Sequence, residues 1–436
     1  MKKRRIVSLL SAAAMCLSLF TGCGMTIGEK AETEKFVSSV KYQEYLTDEV
    51  SLDFECIWVG TDSKAAYVQS MVDGFNEEYK GKYHINMIRQ TDYDTYESKL
   101  KIQIGAGQVP DIFTVKNYSD VETYAETGKL MDFTSYLTAK NRTSRYQEGI
   151  FDEYKINGAQ YCIPYESGVV PIMFNGTLLE SCGITEVPTS WEEFFECCDL
   201  MQAAGMTPTS FMTGANAWTA QLWFSYALAS VAGKDAWSVE IDSDEFKEAA
   251  ELVKKIYSYA PSDAIGAVAG TVNNHFYAKE TAIYTNGAWI LGGIRNNAGQ
   301  EFYDNVKVSS GLSYEGKNGN SFISYVQAFV CAADQKDAAK KAAAEAFIDY
   351  ITDINRVTEL SESSGATFCV NADASKLTDP LQSDIIAKCN NAAFTVKSFG
   401  SSVSSEVQAA FPKALESYLL GETTVEQFVN TLKKAQ

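Results

Sequence analysis

Histidine is nearly absent from this chain: His84 and His275 are the only two among 436 residues, and they lie far apart in sequence. A His-based catalytic triad or a multi-histidine metal cage is therefore poorly served. Basic charge is also in deficit, with 37 Lys and Arg against 56 Asp and Glu and a formal charge of −19. Such a balance repels a phosphate backbone and argues against nucleic acid as a partner. The apolar stretch at residues 6–20 is too short and too abruptly ended for an ordinary membrane span. Ten cysteines include no C-x-x-C pair, and the body has neither a repeat of solenoid period nor a low-complexity linker.

What is present is a chain that is 46% hydrophobic and 21% charged, long enough to bury a sizeable core over two or three domains. Lys2, Lys3, Arg4 and Arg5 precede the apolar residues 6–20, as in the basic and hydrophobic regions of an export signal. The stretch closes on Leu19, Phe20, Thr21, Gly22 and Cys23, which resembles a bacterial lipoprotein cleavage box with Phe20 in place of the preferred Leu. That resemblance implies a signal at 1–22 and acyl chains on Cys23, two or more of which hold a protein at a membrane surface. An ordinary cleaved signal with an incidental cysteine is the alternative. Residues 23–44 are polar without a clean period and read as a tether. Eight further cysteines remain. Cys56 and Cys162 sit in apolar strand-like runs, so buried free thiols are expected, with one bridge involving Cys182 left open.

Val50, Leu52, Phe54, Cys56 and Trp58 alternate with Ser51, Asp53 and Glu55 at the period of a strand with one buried face. Asp62 or Ser63 then caps a helix, and Gly81 stops it. Residues 83–88 read as a strand, 93–105 as a helix and 112–115 as a strand. This β-α-β alternation predicts a mostly parallel sheet with ligands outside the carboxyl ends of its strands. Residues 159–165 and 169–175 are extended. Ser190, Trp191, Glu192 and Glu193 form a capping box, and helical patterns then run to about residue 277. Strands follow at 282–285 and 322–331, and helices at 338–351 and 403–420. A last helix is capped by a box of Thr423, Thr424, Val425 and Glu426.

In this order the landmarks resemble the family 1 extracellular solute-binding proteins of ABC importers, the carbohydrate-binding group related to maltose-binding protein. The matching pieces are Ile57 and Trp58 at the end of the first strand, GQVPDI at 107–112 for the family's G-x-x-P-D-I, and INGAQYCIPY at 156–165 for D-G-K-x-Y-G-x-P-Y. Met173, Phe174 and Asn175 stand for Y-Y-N, VPTSWEE at 187–193 for P-x-T-W-E-E, and residues 282–289 for A-M-x-x-x-G-x-W. Asn157 and Ala159 depart from the D-G-K turn. Gly365, Ala366, Thr367 and Phe368 replace a loop that often carries Leu-Pro and lines the cleft, which leaves the sugar itself open.

The resemblance implies an α/β, two-lobed fold of the periplasmic-binding-protein type (type II), each lobe a mostly parallel sheet flanked by helices, with the ligand cleft between them. It places 45–166 and 281–322 in lobe 1 and 167–280 and 323–436 in lobe 2, with crossings near Glu166, residues 277–281 and residues 322–324. A sugar needs aromatic platforms for its C–H faces and planar polar groups for its hydroxyls. The expected contacts are Trp58, Asp62, Lys116, Asn117, Tyr165, Glu166, Trp218, Trp223, Asn286 and Trp289. Core packing is the competing reading for Trp218 and Trp223, and helix capping for Asp62. No catalytic residue, metal or cofactor is implied. The expected partners are a carbohydrate and ABC permease subunits, with the monomeric protein lipid-anchored outside the cell membrane. A binder of another solute, a ligand sensor and, less favoured, an exported glycosidase with two facing carboxylates are the alternatives. The acid excess disfavours anionic solutes.

Overall fold

The computed structural model describes residues 49–436 except 59, 61, 63, 89–92 and 148. The expected signal, the tether and the Cys23 anchor lie outside the described residues. In chain order the elements are β1 (Val50–Glu55), α1 (Ala65–Glu78), β2 (Tyr83–Ile88), α2 (Tyr93–Gly105), β3 (Ile112–Val115), α3 (Tyr118–Glu126), β4 (Ile163–Val170), β5 (Ile172–Asn175), α4 (Trp191–Ala203), β6 (Thr207–Thr209) and α5 (Trp218–Ala232). They continue as α6 (Asp244–Tyr257), α7 (Ala269–Tyr277), β7 (Thr281–Thr285), α8 (Leu291–Ala298), β8 (Val306–Ser309), β9 (Ser321–Ala332), α9 (Ala338–Ile351), α10 (Ile354–Ser364), β10 (Thr367–Phe368), α11 (Pro380–Asn390), β11 (Phe394–Val396), α12 (Ser405–Leu419) and α13 (Val425–Lys433). Shorter helical turns join them.

The alternation at the start builds the parallel core β2-β1-β3, because each helix returns the chain to the same end of the sheet. Beyond it the sheets are mixed. β9 runs antiparallel to both β3 and β4 and completes a seven-stranded sheet in the order β10-β4-β9-β3-β1-β2, with β11 also on β9. A second sheet has the order β6-β7-β5-β8, parallel only between β6 and β7. The chain passes from one sheet to the other at Pro171, between β4 and β5, where a residue without an N–H interrupts the ladder.

The pairing corrects the expected placement of several segments. Glu166, near which a crossing is expected, lies inside β4, paired with both β9 and β10, and the change of sheet follows five residues later at Pro171. β7 and β8, expected with the first strands, pair with β5. Residues 326–370, expected in the second lobe, pack against the larger sheet: Phe347 of α9 meets Phe54 of β1 and Phe75 of α1 edge-on, each at 5.2 Å. Burying such a ring stabilises by about 1.5–3 kcal/mol.

Caps follow the sequence with small shifts. Ser190 accepts from the Glu193 amide, but the Glu193 carboxylate reaches back to the amide and hydroxyl of Thr189, at 2.8 and 2.9 Å. The last box is formed by Thr424 and Gln427, one residue later than expected. All eight cysteines of the described residues are free; six are buried, and burial pushes the Cys56 thiol up to about 12.

Candidate functional site

A cleft of about 990 Å³ separates the loops above the larger sheet from helices on the smaller one. From the first side come Asp62 and Lys64 after β1, and Lys116 and Asn117 after β3. These are carboxyl ends of parallel strands, where open α/β sheets present ligand groups. The opposite wall is built by Trp218 and Gln221 at the start of α5, Asn273 and Tyr277 on α7, and Trp289 and Asn296 at α8. Tyr325 and Gln327 of β9 are also in the lining.

Trp218 and Trp289 are both half-buried, and their rings lie 5.6 Å apart at 44°. Each is held by a backbone constraint. The turn before Trp218 carries Ala215 and Ala217 at φ 53° and 54°, a conformation L residues adopt at a cost. Trp289 folds back over Gly287, where a Cβ would come within 2.0 Å of the indole. Asn286 is buried and does not line the cleft. Its Oδ1 accepts from the Gly287 amide at 2.7 Å and its Nδ2 donates to the Tyr284 hydroxyl at 2.7 Å, so it shapes the turn from which Trp289 projects.

Beneath the mouth lies a buried charged chain. The Lys64 Nζ sits 3.2 Å from both Asp62 Oδ1 and Glu166 Oε1, and the Trp58 Nε1–H donates to Glu166 Oε2 at 2.7 Å. Burial by itself would lower the Lys64 pKa, but the two carboxylates outweigh it and hold the ammonium above its ordinary value. Burial pushes Glu166 above the usual carboxylate range, with Lys64 and Trp58 pulling the other way. Trp58 and Glu166 thus support Asp62 and Lys64 from behind instead of facing the cleft; Trp58 is 1% exposed and Glu166 is fully buried.

Two further expected residues are core. Tyr165 packs on Trp58 at 5.1 Å and donates to the Ile351 carbonyl at 3.0 Å. Trp223 is fully buried against Phe194 and Trp191, one turn and a half along α5 from Trp218 and so on another face. Of the ten, Asp62, Lys116, Asn117, Trp218 and Trp289 line the cleft. Asn117 also reaches across it, donating to Gln408 of α12 at 2.6 Å.

A profile of bacterial extracellular solute-binding proteins matches residues 60–353, more than half of the chain. The chain belongs to this family. This solute-binding protein is 23% identical over 234 residues to the multiple sugar-binding protein of Streptococcus mutans, a match covering 53% of this chain and 49% of that one. It is 26% identical over 181 residues to the osmoprotective compounds-binding protein GgtB of a Synechocystis strain, covering 38% and 43%. The matches thus span about half the length of these curated relatives, or less. A solved chitin oligosaccharide binding protein superposes with a TM-score of 0.80 at 21% identity, covering 89% of this chain and 98% of that one. The shared architecture is the two-lobed, type II arrangement of periplasmic solute-binding proteins.

In this solute-binding protein the cleft also contains residues that the sequence did not single out: Lys64, Tyr277, Gln327 and Gln408. Lys64 stands two residues after Asp62 in the same loop, a spacing that was legible. Tyr277, whose hydroxyl burial pushes up to about 12, and the two glutamines carried no pattern that separates a cleft position from an ordinary helix or strand position.

Proposed function

We propose that this solute-binding protein takes a carbohydrate between its lobes, closes over it and delivers it to the permease subunits of an ABC importer, while acyl chains on Cys23 hold it at the outer face of the membrane. The observation that carries this reading is one cleft furnished with two tilted indoles and, on the facing elements, planar amides. A sugar's C–H face stacks on an indole, and its hydroxyls both donate and accept, as an amide does. Asp62 and Lys64 add charge-assisted partners, which are shorter and stronger than neutral ones. The cleft volume is at the upper end of the roughly 300–1,000 Å³ found for small-molecule sites, which suits more than one sugar ring. The sugar-binding name of the Streptococcus relative supports the same ligand class. Capture and release require no bond to break, and no catalytic step or cofactor belongs to this reading.

Strand pairing supports a revised division: residues 50–170 with 324–370 as one lobe, and 172–322 with 380–436 as the other. The name of the Synechocystis relative favours a second reading, a small osmoprotective solute on the same fold. Titration calorimetry of residues 24–436 against mono- and oligosaccharides and neutral osmolytes separates the two. Micromolar binding of a saccharide, about −8 kcal/mol, is expected. Binding of osmolytes alone would replace the ligand class, and turnover of a saccharide would replace the binder with an enzyme.

A further inference from the structure

β9 passes the cleft between the two lobes, and its ladder with β4 is irregular at two successive steps, the first skipping Tyr165 of β4 and the second Gln327 of β9. Glu166 faces Ala328 and Ser167 faces Val326, so Gln327 has no residue opposite it. Such a bulge re-aims a side chain, and Gln327 is in the cleft lining. The residue is only 8% exposed, yet its Oε1 has no hydrogen-bond partner among the described residues. Other amides of the cleft are engaged within the protein: Asn117 donates to Gln408 at 2.6 Å, and Gln221 donates to the Asn216 carbonyl at 2.6 Å. A buried acceptor without a partner destabilises the fold that contains it. Turning the amide over only exchanges a missing donor for missing acceptors. The fold therefore retains at this position a polar group that its own packing does not satisfy.

We propose that Gln327 reads a hydroxyl of the most deeply held sugar ring, the hydroxyl donating to Oε1, and so makes the protein select a ring bearing that hydroxyl over its deoxy analogue. This deepens the carbohydrate reading above and rests on it. Discrimination of this kind is strong because the analogue leaves the buried amide unpaired, whereas an apolar pocket separates near-isosteres weakly.

The test is Gln327→Met, close in volume and without a hydrogen-bonding amide, titrated with the saccharide that binds the wild type best and with its monodeoxy analogues. Binding of the parent saccharide should weaken about 10- to 100-fold. The ligand-free variant should melt at or above the wild-type temperature, since the unpaired acceptor is gone. A purely structural amide gives the reverse, a lower melting temperature with affinity retained, and that result overturns the proposal. Wild type should also reject one monodeoxy analogue that the variant no longer distinguishes from the parent; equal discrimination by both proteins overturns it as well. If the wild type binds saccharides and the variant binds them equally, this assignment fails alone. If the wild type binds none, the carbohydrate reading fails and takes the assignment with it.

Discussion

Lys64 places an ammonium group, with 2% of its side chain exposed, between two carboxylates that would otherwise repel each other across the base of the cleft. Removing the cation strands both of them. Lys64→Met is expected to cost about 3–5 kcal/mol, the range for breaking a buried pair by deleting one partner, measured by chemical denaturation; a loss below about 1 kcal/mol would show that the carboxylates find other partners. Trp289 should behave differently, because it is only half-buried. Trp289→Ala is expected to weaken ligand binding about tenfold or more with a near wild-type melting curve, and unchanged affinity in calorimetry would remove the indole from the site. Sequence position revealed Asp62, Lys116 and Asn117 because they follow strand ends. It did not reveal that Trp58 and Glu166 are turned inward, since the alternation gives the two faces of a strand without saying what covers each. Trp218 and Trp223 lie on one apolar helix, and only the packing of Trp191 and Phe194 decides which of them is core.

Elements hold these side chains through positions that tolerate no side chain. Gly287 is the clearest, lying under the ring of Trp289. Gly287→Ala is expected to displace the indole and weaken binding about as much as Trp289→Ala. Gly270 in α7 is a contrasting case, where an added Cβ meets nothing within 4 Å and φ is not positive. Gly270→Ala should raise stability by about 0.5–1 kcal/mol, read as a higher unfolding midpoint; a lower one would mean that the helix start is strained by any side chain. Existence and type of most elements were legible from period and caps, including α2 at Tyr93–Gly105 and β3 at Ile112–Val115. The partners of β7 and β9 were not, because short strands that pair across long separations carry no local signal of which sheet they enter.

At the scale of the whole molecule, Asp349 is a joint through which pH acts on stability. Its carboxylate accepts from Arg142 at 2.6 and 2.7 Å, from Arg145 at 2.9 Å and from the Tyr136 hydroxyl at 3.0 Å, tying α9 to the 134–145 segment. Burial pushes this carboxyl upward, but Arg142, Tyr136 and Arg145 outweigh it and hold it below the usual value of 3.8. A depressed folded pKa stabilises fully above the ordinary carboxylate value, and the stabilisation is lost as pH falls through the folded one. Asp349→Asn should therefore melt lower at pH 7, by the equivalent of about 2 kcal/mol, and lose less further stability than wild type as pH is lowered below about 4. Parallel slopes for the two proteins would show that other carboxylates control acid unfolding.

The antiparallel register between β3 and β9 joins Val115 to Phe329, and this spacing also sets a clock. At a synthesis rate of roughly 5–20 residues per second, the partner of β3 arrives on the order of 10–40 s after β3 itself. During that interval one side of β3 stays unpaired, and the larger sheet cannot be completed, whereas all four strands of the smaller sheet are supplied by residues 172–309. The larger sheet is thus finished late in synthesis, after the smaller one has all its strands.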